Sequence, residues 1–141
     1  MYLLDTNVVS ELRKSPSGKA DLNVVHWAST ANPETLYISV ITVLELEMGI
    51  LSMERRDPHQ GDLLRKWLEE QVLPSFEGRI LPIDIDIARK CAELHIPDKR
   101  AERDAMIAAT AVIHRMKMVT RNVADFDQAG IEVINPWLQP V

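Results

Sequence analysis

This sequence predicts an α/β fold built on a largely parallel sheet, with helices over both of its faces. Three observations carry that prediction. Short apolar runs alternate with longer stretches of helical spacing along the whole chain. Turn-forming residues punctuate them, most clearly Gly18, Asp57-Pro58 and Ile96-Pro97-Asp98. The longest strongly apolar run, 105–113, falls far short of the ~20 residues a membrane helix requires. With 141 residues the chain is expected to form one domain, 1–141, around a central sheet of four to five strands.

The elements follow in order. A strand is expected at 2–5 from the apolar Tyr2, Leu3 and Leu4, then a short helix at 8–14 and another at 22–30. LYIS, 36–39, reads as the second strand. From Thr42 to about Arg55 the apolar Val43, Leu46 and Ile50 fall three and four apart, which is helical spacing. DLLRKWLEEQVL, 62–73, is a further amphipathic helix. A third strand is expected at 79–83 and a helix from Ile85 to about Leu94, with Asp84 as its N-cap. The alanine-rich stretch 102–116 is a helix, followed by strands at 118–120 and 131–134.

Composition excludes several classes. A single cysteine, Cys91, rules out an internal disulfide framework and fits a reducing cytoplasm. The first residues show no basic segment leading into an apolar stretch, so no secretory leader is expected, and the short apolar runs give no expectation of a membrane partner. A net charge of −5 argues against broad nonspecific nucleic-acid binding. It does not exclude a nuclease, because metal-binding carboxylates themselves make the balance negative. The histidines 26, 59, 95 and 114 lack zinc-like spacing.

Four acids stand out. In open α/β sheets, ligands bind beyond the carboxyl ends of the strands. Asp5 ends the first strand there, and Thr120-Arg121-Asn122 ends the fourth. Helix capping would explain Asp5 equally well. Glu45 falls in ITVLELEMG, where Thr42-x-x-Glu45 matches a capping box, while Glu47 is expected to be solvated. Asp104 begins a stripe that continues through Ile107, Ala108 and Ala111, the face expected to meet the core. A favourable place in the first turn of a helix is the alternative. Asp125, three residues after Asn122, could instead cap a short turn before Phe126. Brought to one pocket, four carboxylates would repel unless hard cations sat among them, and oxygen-only ligation suits Mg²⁺ or Mn²⁺.

LLDTN at the start, a Glu in ITVLELEMG, then DAMIAATA and VTRNVADF, in this order and spacing, resemble the PIN-domain proteins. The resemblance extends from Leu3 to Trp137 and is nearest to the VapC-type toxins of bacterial toxin–antitoxin pairs, including the FitB-like branch. It implies a PIN-like three-layer α/β/α sandwich and a Mg²⁺- or Mn²⁺-dependent ribonuclease, with RNA as substrate. Asp5, Glu45 and Asp104 match the family's main acids as catalytic residues and metal ligands. The fourth position falls on Asp125 with Asn122 assisting, although some members carry an Asp where this chain has Asn122. Thr6, Asn7 and Thr120 match small polar residues that orient water or acids. A homodimer, a cognate antitoxin that inhibits the toxin, and DNA contact only through that antitoxin are also implied.

Two other readings compete with the nuclease. A haloacid-dehalogenase-type phosphatase also ends its first strand in Asp, but needs a second Asp two residues on, where this chain has Asn7. A PIN scaffold retained only to bind an antitoxin–DNA complex would have no need of acids in an apolar stripe. The basic residues Lys99, Arg100 and Arg103, just before Asp104, could steer a phosphate backbone or merely form a solvated helix entrance.

Overall fold

The computed structural model describes residues 1–138. Among these, strands β1 (Tyr2–Leu4), β2 (Leu36–Ser39), β3 (Ile80–Leu81), β4 (Lys117–Val119) and β5 (Val133–Ile134) form one sheet. Its order is β3-β2-β1-β4-β5, and every pairing is parallel. The helices are α1 (Thr6–Leu12), α2 (Leu22–Thr30), α3 (Val40–Arg56), α4 (Pro58–Trp67), α5 (Leu73–Ser75), α6 (Ile85–Leu94), α7 (Glu102–His114) and α8 (Val123–Phe126).

The strands are short but apolar on both sides, as a sheet covered on both faces requires. Successive side chains alternate between the faces. Leu4, Ile38 and Val119 enter one core with Val8, Val24, Leu46, Ile50 and Leu68, from α1 to the turn beyond α4. Leu3 and Met118 enter the other, against Ile107, Ala108 and Ala111 of α7 and Phe126 of α8. The α6 helix covers the outside of α7 through Ile87, Cys91, Ala105 and Ala109. Small residues on opposite sides of α7 let it lie between sheet and helix, Ala108 and Ala111 on one side and Ala105 and Ala109 on the other. Each large apolar side chain buried this way contributes about 1.5–3 kcal/mol. No helix among the described residues is long and apolar enough to cross a membrane.

Several boundaries depart from the sequence reading. The α3 helix begins at Val40, where the Ser39 hydroxyl accepts the Ile41 N–H at 2.9 Å. Thr42 is therefore inside the first turn and fully buried, and the expected capping box does not form. The break at Asp57-Pro58 is real but has no length: Asp57 ends α3 and caps α4, accepting from the Gln60 N–H at 3.3 Å. Pro58 suits the first helical position, since its missing donor has no partner there anyway. The helix expected at 62–73 thus starts four residues earlier. It passes through a π-helical turn at Leu68–Val72, both ends of which are buried. At 79–83 and 131–134 only the two-residue pairings of β3 and β5 form.

The fold also reassigns Glu47. Instead of standing in solvent it meets Arg65 of α4, with its two oxygens 2.6 and 2.7 Å from one guanidinium nitrogen. Arg65 also reaches Glu54 at 3.2 Å, tying α4 to α3 at two points. At Glu54 itself, Gly61 of α4 lies so close that an added Cβ would sit 2.6 Å from the Glu54 Cα.

Candidate functional site

The strand order places β1 beside β4 at the centre of the sheet, with the chain proceeding outward in opposite directions from them. This is the switch point at which an open α/β sheet leaves a crevice beyond its carboxyl edge. Asp5 follows β1 and Thr120 follows β4, so these two strands bring residues 115 apart in sequence into one hydrogen bond.

Asp5 is only 4% exposed. One of its oxygens accepts from the Thr6 N–H at 2.8 Å, the other from the Thr120 hydroxyl at 2.7 Å and the Asn7 side-chain amide at 3.4 Å. A carboxylate serving only as a cap would accept amides two or three residues on. Asp5 instead turns its second oxygen across the sheet edge while its backbone carbonyl starts α1. Asn7 also donates to the Thr120 hydroxyl at 3.4 Å, and the Asn122 backbone N–H does so at 3.0 Å. Asn122 thus joins through its main chain, and its side chain makes no cap. Burial raises the Asp5 carboxyl to about 6. The hydrogen bonds from Thr120 and Thr6 hold it down, while the charges of Asp104 and Glu45 push it further up.

Glu45 comes from α3, one turn past Thr42. Its Oε1 lies 2.7 Å from the Thr6 hydroxyl, which is itself 3.0 Å from the hydroxyl of Thr42. Thr6 has a single proton and an ionised Glu45 can only accept, so Thr6 donates to Glu45 and Thr42 donates to Thr6. The other carboxylate oxygen, Oε2, faces Arg103 at 3.6 Å. Thr42 was missed as part of this chain of contacts. The signal for it was Ser39, a good cap residue ending LYIS, which would have moved the helix start one turn back.

Asp104 sits in the first turn of α7, and its stripe of Ile107, Ala108 and Ala111 is buried as expected. Burial raises its carboxyl above the ordinary range, and the charges of Asp125 and Glu45 raise it further, against a smaller opposing effect of Arg103. Asp125 is exposed, in the first turn of α8, and lines the same cleft of about 360 Å³ as Asp104, Lys99 and Arg100. A second cleft, of about 410 Å³, lies between Glu45, Arg103 and Asp104.

The four predicted acids are therefore linked electrostatically, with Asp5 sensing Asp104 and Glu45, and Asp104 sensing Asp125 and Glu45. Among the described residues no three Asp, Glu, His or Cys side chains close into a ready-made cage for an ion. The donor chemistry nevertheless suits a hard divalent cation. Every candidate donor is an oxygen, and the Asp5 and Asp104 carboxyls are raised by burial first and by neighbouring acidic charge second, both of which a bound cation would offset.

These features define an α/β domain whose acids gather beyond the strand ends where the sheet order reverses. The chain belongs to the PIN-domain family, whose model matches residues 2–132. It is 41% identical to the VapC ribonuclease Y4jK of Sinorhizobium fredii, over 97% of this chain and 98% of that one. It is 38% identical to the toxin FitB of Neisseria gonorrhoeae, over 97% of this chain and 99% of the relative. Its fold is similar to the structure of FitAB bound to an IR36 DNA fragment, with a TM-score of 0.86, 35% identity and coverage of 100% and 99% of the two chains. The resemblance read from LLDTN, DAMIAATA and VTRNVADF is borne out.

Proposed function

We propose that this chain is a metal-dependent ribonuclease acting as the toxin of a toxin–antitoxin pair. The observation that carries the reading is the buried Asp5, held by Thr120 and Thr6 and in electrostatic contact with Asp104 and Glu45 at the switch point. The names of the VapC ribonuclease and FitB toxin relatives support it. The whole of 1–141 works as a single domain in this reading, in the cytoplasm.

Asp5 and Asp104 are the principal metal ligands, with Glu45 and Asp125 completing the set directly or through water. Mg²⁺ or Mn²⁺ bound there would ease the deprotonation of water and screen the charge that builds on a phosphodiester under attack. The protein's own part is positional. Thr120 and Asn7 fix the direction of the Asp5 oxygens, and Thr6, backed by Thr42, fixes Glu45. Lys99 and Arg100, beside Asp104 and Asp125 in one cleft, attract the RNA backbone that the acids alone would repel.

The partner is a cognate antitoxin, which inhibits by entering the acidic pocket with a basic side chain and which alone contacts DNA. The similarity to FitAB on DNA supports this. A homodimer completes the reading. Val40, Leu44, Met48 and Leu51, spaced along one side of α3 and 40–54% exposed, offer an apolar surface for a second copy.

Purified protein free of antitoxin is expected to cut total cellular RNA into discrete fragments with Mg²⁺ or Mn²⁺. Cleavage should stop in EDTA and in Asp104→Asn, whose circular dichroism should match the wild type. Fragments that persist in EDTA, or at the wild-type rate in Asp104→Asn, would overturn the metal-nuclease reading.

A further inference from the structure

Arg103 is a cation in direct contact with one of the acids, and its placement is specific. It immediately precedes Asp104 in α7, yet its side chain crosses to α3, with Nε 3.6 Å from Glu45 Oε2 and a terminal nitrogen 3.1 Å from the Met48 sulfur. Glu45 cannot rotate freely to meet it, because Thr6 holds the opposite oxygen at 2.7 Å. Glu45 therefore presents Oε2 toward the start of α7, into the cleft it shares with Arg103 and Asp104. Oε2, which Thr6 leaves open on that side, is the oxygen that faces a divalent cation shared by Glu45 and Asp104.

We propose that Arg103 is a positioning residue that acts as an internal counter-ion: it neutralises Glu45 while the pocket holds no metal, competes with the divalent ion for Oε2, and on metal binding turns outward to the RNA phosphate. The energetics suit an exchange of this kind. The Arg103 side chain is 45% exposed and the separation exceeds that of a tight hydrogen bond, so the pair is weak and readily surrendered. A divalent ion brings twice the charge to the same oxygen. Once displaced, the guanidinium stays on the rim of the cleft, where its planar fork matches two oxygens of a phosphate. Lys99 and Arg100 line the neighbouring cleft, so the released charge extends a basic border on one side of the acids. The N–H donated to the Met48 sulfur gives the pre-exchange position a second, weak anchor.

This inference rests on the metal-nuclease reading, and its test separates the two. Mn²⁺ binding is measured by electron paramagnetic resonance of the free ion, which needs no RNA and no turnover, on wild type, Arg103→Gln and Arg103→Lys. Arg103→Gln is expected to bind Mn²⁺ about threefold or more tightly than wild type, and Arg103→Lys, which keeps the charge, to return towards the wild-type value. At saturating Mn²⁺, Arg103→Gln should show a higher KM for RNA and a shallower dependence of KM on salt, by about one ionic contact. Equal or weaker Mn²⁺ binding by Arg103→Gln would overturn the counter-ion role and leave the metal site standing. Absence of Mn²⁺ binding in every variant would overturn both.

Discussion

Asp5 shows at the scale of one residue how position and chemistry pull against each other. Burial lifts its carboxyl to about 6 from the ordinary 3.8, although Thr120 and Thr6 donate to its ionised form. A pKa raised by folding means that the folded state binds this proton more tightly than the unfolded chain does. The associated stability is complete below pH 3.8 and is lost as pH rises through about 6. In EDTA, urea unfolding should therefore show a loss on the order of 3 kcal/mol from this group between pH 4 and 7. Asp5→Asn should remove that part of the slope, and a slope identical to wild type would contradict it. Thr6 is the other residue worth changing alone. Thr6→Val deletes the donor to Glu45 and strands the Thr42 hydroxyl, so RNA cleavage is expected to fall roughly tenfold or more.

At the scale of elements, the contact of α3 with α4 decides how Glu45 is held. The two helices are separated by a single residue, Asp57, and are bound by Arg65 between Glu47 and Glu54. Gly61 allows their backbones to approach, and Gly61→Ala would drive a methyl to 2.6 Å from the Glu54 Cα. Backbone cannot move aside as a side chain can, so about 1–3 kcal/mol of stability should be lost in chemical denaturation. Replacing Asp57 by Ala removes one cap and is expected to cost about 1 kcal/mol. Neither residue reaches the acids. Both changes should therefore lower stability more than they lower activity under native conditions.

For the whole molecule, the decisive property is that both layers of helices deliver acids to one edge of the sheet. Asp5 and Glu45 come from the β1–α1 and β2–α3 junction regions, Asp104 and Asp125 from α7 and α8 on the other face. An ion held among them would join the two halves and would bind only the folded chain. Mg²⁺ or Mn²⁺ at one hundred times its dissociation constant should thus add about 2.7 kcal/mol and raise Tm by several degrees. EDTA should reverse the shift and Asp104→Asn should abolish it. Self-association belongs to the same scale: light scattering should find a dimer, and Leu51→Glu, in the exposed stripe of α3, should yield monomer.

By itself, the sequence determined the order of strands and helices, because hydrophobic period and turn chemistry are local properties. It is also the source of the proposed chemistry, since an all-carboxylate set at strand ends and in an apolar helix stripe suits a hard cation. The Asp104 stripe was legible for that reason, and it is buried as its spacing required. Thr42 and Glu47 were not legible. The capping-box pattern accounted locally for Thr42, and only the start of α3 at Val40 turned it inward to Thr6. Glu47 looked solvated until α4 folded back against α3 and supplied Arg65. The hydrogen bond from Thr120 to Asp5 and the pairing of Arg103 with Glu45 span 115 and 58 positions. Such contacts were decided by the tertiary structure alone, because sheet order and helix packing, not local propensity, choose which distant side chains meet.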